Sequence, residues 1–226
     1  MLIKFDGIKK TFYMGGTEIK ALDEISLEIQ EGEFVAIMGP SGSGKTTFLG
    51  ILGLLSRQTA GNYFLDNQNT QNLSDEGLAK LRNSKIGFVF QNFNLLPRFT
   101  AQENVELPLI YAGLNRKERA VRSLKLLEEV GLVDRGNHSP NQLSGGEQQR
   151  VAIARALVNE SPILLADELT GNLDSKTGAE IMKLLVDING KGTTIVMITH
   201  DAGIAGYAHR LITLKDGRIH SEEKGV

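Results

Sequence analysis

The chain has 226 residues, a formal net charge of −2 and no cysteine. That length allows one large domain or a core with an inserted subdomain. The near-neutral charge offers no general attraction to nucleic acid, and without cysteine neither a disulfide framework nor a thiolate metal site can form. The opening Met1-Leu2-Ile3-Lys4-Phe5-Asp6 lacks the apolar core and small-residue cleavage site of a secretory signal. The longest apolar stretch, Phe48 to Leu55, is broken by Gly50 and Gly53. It falls short of the ~20 residues a membrane span requires. A soluble, intracellular protein is expected, with any membrane role supplied by a partner.

In chain order, the N-terminal part reads as short strands. Gly15-Gly16 marks a turn between two of them, and Ile25-Ser26-Leu27-Glu28-Ile29 alternates as a strand with one wet face does. Phe34-Val35-Ala36-Ile37-Met38 is continuously apolar, as expected of a strand buried on both faces. Ile86–Phe90, Ile163–Ala166 and Thr194–Ile198 read the same way, with helical patterns between them, so a parallel α/β core is predicted. Residues from about 92 to 157 differ. Asn115 followed by Glu118 predicts a capped helix, with Val121, Leu124, Leu127 and Val130 on one face and Gly131 ending it. This region is expected to be a mainly helical insertion. Asp216-Gly217, between Leu211–Leu214 and Arg218-Ile219, predicts a hairpin.

Three segments carry chemistry. Gly39-Pro40-Ser41-Gly42-Ser43-Gly44-Lys45-Thr46 follows a buried strand and precedes a helix, the setting a phosphate-binding loop needs. Glycines at 39, 42 and 44 let backbone N–H groups turn inward, and the helix dipole adds to them. Lys45 reaches the terminal phosphates and the Thr46 hydroxyl ligates Mg²⁺ in such a loop. The strand Ile163–Ala166 delivers Asp167 and Glu168 to its carboxyl end, one carboxylate for the Mg²⁺ shell and one for a general base. Ser144 and Glu147 form a capping-box pattern, yet Gly145-Gly146 in the same turn are poor helix formers. Small residues there leave N–H groups open to an anion. Since the chain's own nucleotide belongs to the Lys45 loop, the phosphate at this second tip is expected to come from another subunit.

With these residues in place, the chain is identified as resembling the ATP-binding cassette (ABC) ATPases, whose signature is similar to Leu143-Ser144-Gly145-Gly146-Glu147. The resemblance spans essentially the whole chain. It implies an α/β fold: a phosphate-loop NTPase core with a mainly parallel sheet, an N-terminal antiparallel β subdomain and an inserted α-helical subdomain. The core takes about 1–91 and 158–226, and the helical part about 92–157. It implies an ATPase with ATP and Mg²⁺. The ATP-binding set is then Phe12 or Tyr13 stacking on adenine, Gly39, Ser41, Gly42, Ser43, Gly44, Lys45, Thr46, Thr47, Gln91, Asp167 and His200. Gln91 looks like the glutamine that contacts Mg²⁺ and water and faces the membrane partner, so the metal set is Thr46, Gln91 and, through water, Asp167. Catalysis falls to Glu168, His200, Lys45 and Gln91, with His200 resembling the histidine that contacts the γ-phosphate. Leu143, Ser144, Gly145, Gly146, Glu147 and Asp174, the last within the D-loop-like Gly171-Asn172-Leu173-Asp174, would meet the ATP of a partner chain.

One departure stands out. Leu169 follows the acidic pair where the family pattern has proline, removing a restraint that would bias Glu168 towards extended backbone. The stretches Phe88–Pro97 and Glu103–Ile110 look like the group of macrolide exporters, lipoprotein-releasing transporters and the cell-division ATPase. In that group the implied partners are a second copy of the chain, paired head to tail around two ATP, and an integral membrane permease with an extracytoplasmic domain. A periplasmic or extracellular adaptor is a further candidate, and no nucleic acid is expected. The implied location is the inner face of the cell membrane, held peripherally by the permease. The competing readings are a cassette in cell-division or cell-wall signalling, a non-membrane cassette acting on DNA or ribosomes, and a regulatory nucleotide sensor. The lack of sustained heptads and cysteines, the single cassette, and the intact Glu168 and His200 weigh against the last two.

Overall fold

The computed structural model describes residues 1–225. They form two compact units, one from residues 1–79 with 194–225 and the other from Lys80–Thr193. In the first unit, β1 (Ile3–Met14) and β2 (Thr17–Ile29) form an antiparallel hairpin closed at Gly15 and Gly16, both at positive φ. The predicted alternation holds: Ile25, Leu27 and Ile29 are buried, while Ser26 and Glu28 face solvent. With β4 (Ala60–Leu65) and β5 (Gln68–Asn69) the hairpin completes a sheet of order β2-β1-β4-β5.

A second set of strands in this unit surrounds β3 (Phe34–Met38), which pairs in parallel with β8 (Thr194–Ile198) and β9 (Arg210–Lys215). The hairpin predicted at Asp216-Gly217 joins β9 to β10 (Arg218–Lys224), both turn residues lying at positive φ. Helix α1 (Lys45–Leu52) follows β3 through the glycine-rich loop. Phe48 packs 5.3 Å from Phe5 of β1, Phe5 lies edge-on to Tyr63 of β4 at 4.7 Å, and the Tyr63 hydroxyl donates to Leu52 O. These buried rings fix α1 to the antiparallel sheet, so the loop before it is held at both ends. Among the described residues no helix is long and apolar enough to cross a membrane. Helix α2 (Asp75–Lys85) spans the boundary between the units, and the short helix α7 (Ala202–Ala205) follows β8.

In the second unit β6 (Ile86–Phe90) and β7 (Ile163–Asp167) pair in parallel. Between them come α3 (Ala101–Tyr111), α4 (Arg116–Glu129) and α5 (Gly145–Leu157), and α6 (Ser175–Gly190) follows β7. Their core joins Val105, Leu109, Leu127, Val151 and Ala154. The cap predicted for α4 is present, Asn115 and Glu118 bonding reciprocally, and Gly131 lies at φ 75 beyond its end. The predicted apolar face of α4 needs correction. Leu127 and Val130 are buried, but Val121 is 69% and Leu124 43% exposed. The buried neighbour one turn before Leu127 is Ser123, satisfied by Glu106 and by the Ala120 carbonyl. A hydrogen-bonded serine thus takes the inward place that apolar periodicity assigned to Leu124.

Candidate nucleotide-binding site

The predicted site residues are distributed over both units. The first carries the phosphate loop, Phe12, Tyr13 and His200, which is exposed just beyond β8. The loop departs from ordinary backbone at Gly39 (φ 154), Gly42 (φ 78) and Gly44 (φ 99). The glycines serve different ends. A β-carbon at Gly39 would run into the Leu214 carbonyl oxygen and one at Gly44 into that of Ala21, whereas Gly42 faces open space. Two glycines therefore seat the loop against β9 and β2, and one leaves its open side clear. Gly44 caps α1 in left-handed conformation with no side-chain cap, and no acid occupies the first turn. The N–H groups of that turn remain unspent by side chains, which suits a polyanion. Lys45 Nζ donates to the Gly39 and Pro40 carbonyls at 2.8 and 2.9 Å, holding the ammonium over the loop.

Both candidate stacking rings are exposed, Phe12 at 42% and Tyr13 at 75%. The Lys10 ammonium, hydrogen-bonded to Arg57 O at 2.7 Å, lies 5.1 Å from the Phe12 ring centroid and steadies that ring.

In the second unit, Asp167 ends β7 and Glu168 follows at φ 46. The Glu168 carbonyl accepts from Gly171 N–H at 2.9 Å, closing a turn with Leu169 at its first corner. Leucine thus does more than lift a restraint. Glu168 occupies the left-handed region, not the extended one that a following proline favours, and Leu169 is buried as an apolar anchor.

Gln91 begins a loop that the sequence did not show to be clamped. Asn172 Nδ2 donates to Gln91 O at 3.0 Å and to Asn92 Oδ1 at 2.9 Å. Arg155, desolvated so that its pKa falls, donates to the Phe93 and Asn94 carbonyls, two residues at positive φ. Buried Asn104 ties down Leu96 and Phe99 from α3. Apolar periodicity is blind to such side-chain-to-backbone bonds. The left-handed pair Phe93-Asn94, unusual outside glycine, was equally invisible in composition.

The capping box predicted at Ser144 and Glu147 is present. Ser144 caps α5, its hydroxyl accepting from Glu147 N–H while Glu147 reaches back to Ser144. A β-carbon at Gly146 would lie 2.5 Å from Thr177 Cγ2, so glycine lets the tips of α5 and α6 touch. Between them opens a cleft of about 310 Å³ lined by Ser144, Gly145, Gly146, Glu147, Arg150 and Asp174, with Glu180 at its side. Each acid there is engaged. Asp174 caps α6 through Lys176 and Thr177 N–H, Glu180 pairs with Arg150 at 3.4 Å, and Glu147 pairs with Arg135 at 3.1 Å. Bonds from Thr177 to Asp174, and from Ser144 to Glu147, hold both carboxyls below the usual carboxylate range.

Comparison with known proteins decides the family. The family model described as ABC transporter matches residues 22–171. An ABC transporter ATP-binding protein of Methanocaldococcus jannaschii, MJ0796, is 54% identical over 99% of this chain and 97% of its own length. The chain belongs to the ABC transporter ATPase family. Like the rest of that family it is an ATPase that uses ATP and Mg²⁺. The macrolide export ATP-binding/permease protein MacB of Chlorobaculum tepidum is 50% identical over 99% of this cassette, which spans 34% of that protein. A dimeric structure of MJ0796 in a post-hydrolysis state, bound to ADP and phosphate, matches the cassette with a TM-score of 0.91 and 52% identity, covering 100% of this chain and 99% of that one. The residues present fit the nucleotide and the ion. The open α1 tip and Lys45 suit a triphosphate, and Thr46, a hydroxyl residue, is exposed. Among the described residues no group of three or more His, Cys, Asp or Glu could cage a metal.

Proposed function

We propose that two copies of this cassette pair head to tail, each nucleotide lying between the Lys45 loop of one copy and the Ser144–Gly146 tip of the other. The observation that carries this reading is the cleft at the α5 tip. It presents small residues and a capped helix N-terminus with every acid engaged, on a unit without a phosphate loop of its own. The dimeric state of MJ0796 supports it.

In this reading Phe12, steadied by Lys10, stacks on the base, with Tyr13 as the alternative ring. Backbone N–H groups of the loop from Gly39 to Thr47, Pro40 having none, hold the phosphates together with the Ser41 and Ser43 region, and Lys45 binds the terminal ones. Thr46, Gln91 and, through water, Asp167 would hold Mg²⁺, which would neutralise charge on the transferred phosphoryl group. Glu168 accepts the proton of the attacking water and His200 hydrogen-bonds the γ-phosphate. Leu143, buried beneath the signature, sets the α5 tip, while Ser144, Gly145, Gly146, Glu147 and Asp174 face the partner's nucleotide.

Residues of about 92–157 serve as the helical arm of a single cassette whose core is about 1–91 and 158–226. The arm moves an integral membrane permease, docked beside Gln91 where Leu96 and Phe99 stand exposed. MacB relatives, described as ATP-binding and permease proteins in one, favour force transmission of the macrolide-exporter or lipoprotein-release kind. Attachment to the inner membrane face, and a periplasmic or extracellular adaptor, follow from that assignment. Coupling to cell-division or cell-wall signalling would use the same machinery.

Glu168→Gln tests the reading. It is expected to bind ATP, to lose hydrolysis by roughly 10²–10⁴-fold, and to accumulate as a dimer in size-exclusion light scattering. A variant that stays monomeric at saturating ATP would remove the shared-site model.

A further inference from the structure

The signature tip carries a carboxylate where an incoming triphosphate would be repelled by one. Glu147 lies in the first turn of α5 and lines the cleft. Its Oε2 accepts from Ser144 N and Oγ, both at 2.8 Å, which shapes the tip but leaves a full negative charge beside it. Oε1 accepts from Arg135 Nε at 3.1 Å. Arg135 comes from outside the helix, at the end of the short turn Val133–Arg135, and its backbone is held by Leu132 O and His138 N–H.

The side chains of this pair are 50% and 28% exposed. Pairs so open to water add little to stability. Their charges still act on an anion brought within a few ångströms, where water is displaced and screening falls. We infer that Arg135 is a positioning residue for ATP-driven pairing: it cancels the Glu147 charge so that the α5 tip can accept the triphosphate of a second copy. The inference rests on the shared-site reading above. It adds a residue outside the signature to the machinery that closes the pair.

The test uses the full chain in a Glu168→Gln background, measuring the ATP concentration for half-maximal dimer at low and high salt. Arg135→Gln is expected to raise that concentration about tenfold at low salt and less at high salt. The loss should vanish once Glu147→Gln is also present, so that Arg135→Gln/Glu147→Gln matches Glu147→Gln within about twofold. Arg135→Lys, which keeps the charge, should stay close to the parent and guards against a folding defect. Binding of a fluorescent ATP analogue to the monomer reports folding independently. No change in Arg135→Gln, a loss that persists alongside Glu147→Gln, or a lysine variant as impaired as the glutamine variant would each overturn the inference. Failure of the Glu168→Gln parent to dimerise would instead overturn the shared-site reading.

Discussion

Helix α1 begins at left-handed Gly44 with no side-chain cap and no acid in its first turn, whereas α5 begins at Ser144 with a reciprocal bond to Glu147. Both tips are glycine-rich, and sequence alone suggests the same use for both. The difference lies in how the orphan N–H groups are spent. At α1 side chains satisfy none of them, and a lysine stands over the loop, so the tip suits wrapping an anion. At α5 the cap satisfies part of the turn, and three nearby acids are engaged by Arg135, Arg150 and the α6 tip. That tip stands by itself and can meet an anion from outside. A helix end that must hold a polyanion leaves its donors open, while one that touches it from across an interface keeps its own structure.

The most damaging way to break this contrast is at the loop. Gly39→Ala drives a β-carbon into the Leu214 carbonyl at a φ that side chains rarely adopt. It is expected to cost about 2–3 kcal/mol in thermal or urea unfolding and to abolish nucleotide binding by calorimetry. Next comes Leu169→Pro, which sharpens how the acidic pair is presented. Proline disfavours the backbone of Glu168 and removes a buried side chain, so kcat should fall roughly tenfold while affinity for ATP holds. Unchanged kcat would mean that the Glu168–Gly171 turn, whose first corner also accepts proline, sets the carboxylate by itself.

Removing the α5 cap is a smaller change. Ser144→Ala should lower stability by about 1 kcal/mol, read in denaturant melts, and leave the Lys45 loop's nucleotide affinity in the monomer as it was. Acid should have the least effect, and at the capped tips its sign is fixed. Glu147 and Asp174 are held below the ordinary carboxylate range, so their contribution is complete at neutral pH, above the unfolded value. It is lost as pH falls below about 4 through the depressed folded values. Replacing both by their amides should flatten that acid slope in thermal melts. An unaltered slope would place the acid-sensitive groups elsewhere.

Much of this was legible residue by residue. Strand Phe34–Met38 showed itself as an unbroken apolar run, and the Ser144-Glu147 and Asn115-Glu118 caps as polar residues at fixed spacing. These signals are local, because the physics behind them acts within one turn or one strand. The α4 face departs from its apolar periodicity at Val121 and Leu124 because Ser123 turns inward to a hydrogen-bond partner on α3, which periodicity does not weigh. Arg155, Asn104 and Asn172 clamp the loop after Gln91 through backbone carbonyls and amides, which apolar periodicity does not weigh, and Arg155 and Asn172 do so from far away in the chain.

By itself the sequence determined the family, the phosphate loop, the acidic pair and the signature, since each is a short run whose residue types are its chemistry. Tertiary structure decided how those runs are presented. Glu168 takes a left-handed backbone over buried Leu169, Gly39 and Gly44 are demanded by neighbouring strands, and Arg135 reaches Glu147 from outside its helix. For the glycines and the ion pair the reason is the same. Close approach and charge compensation depend on groups distant in the chain, and only packing brings them within ångströms of one another.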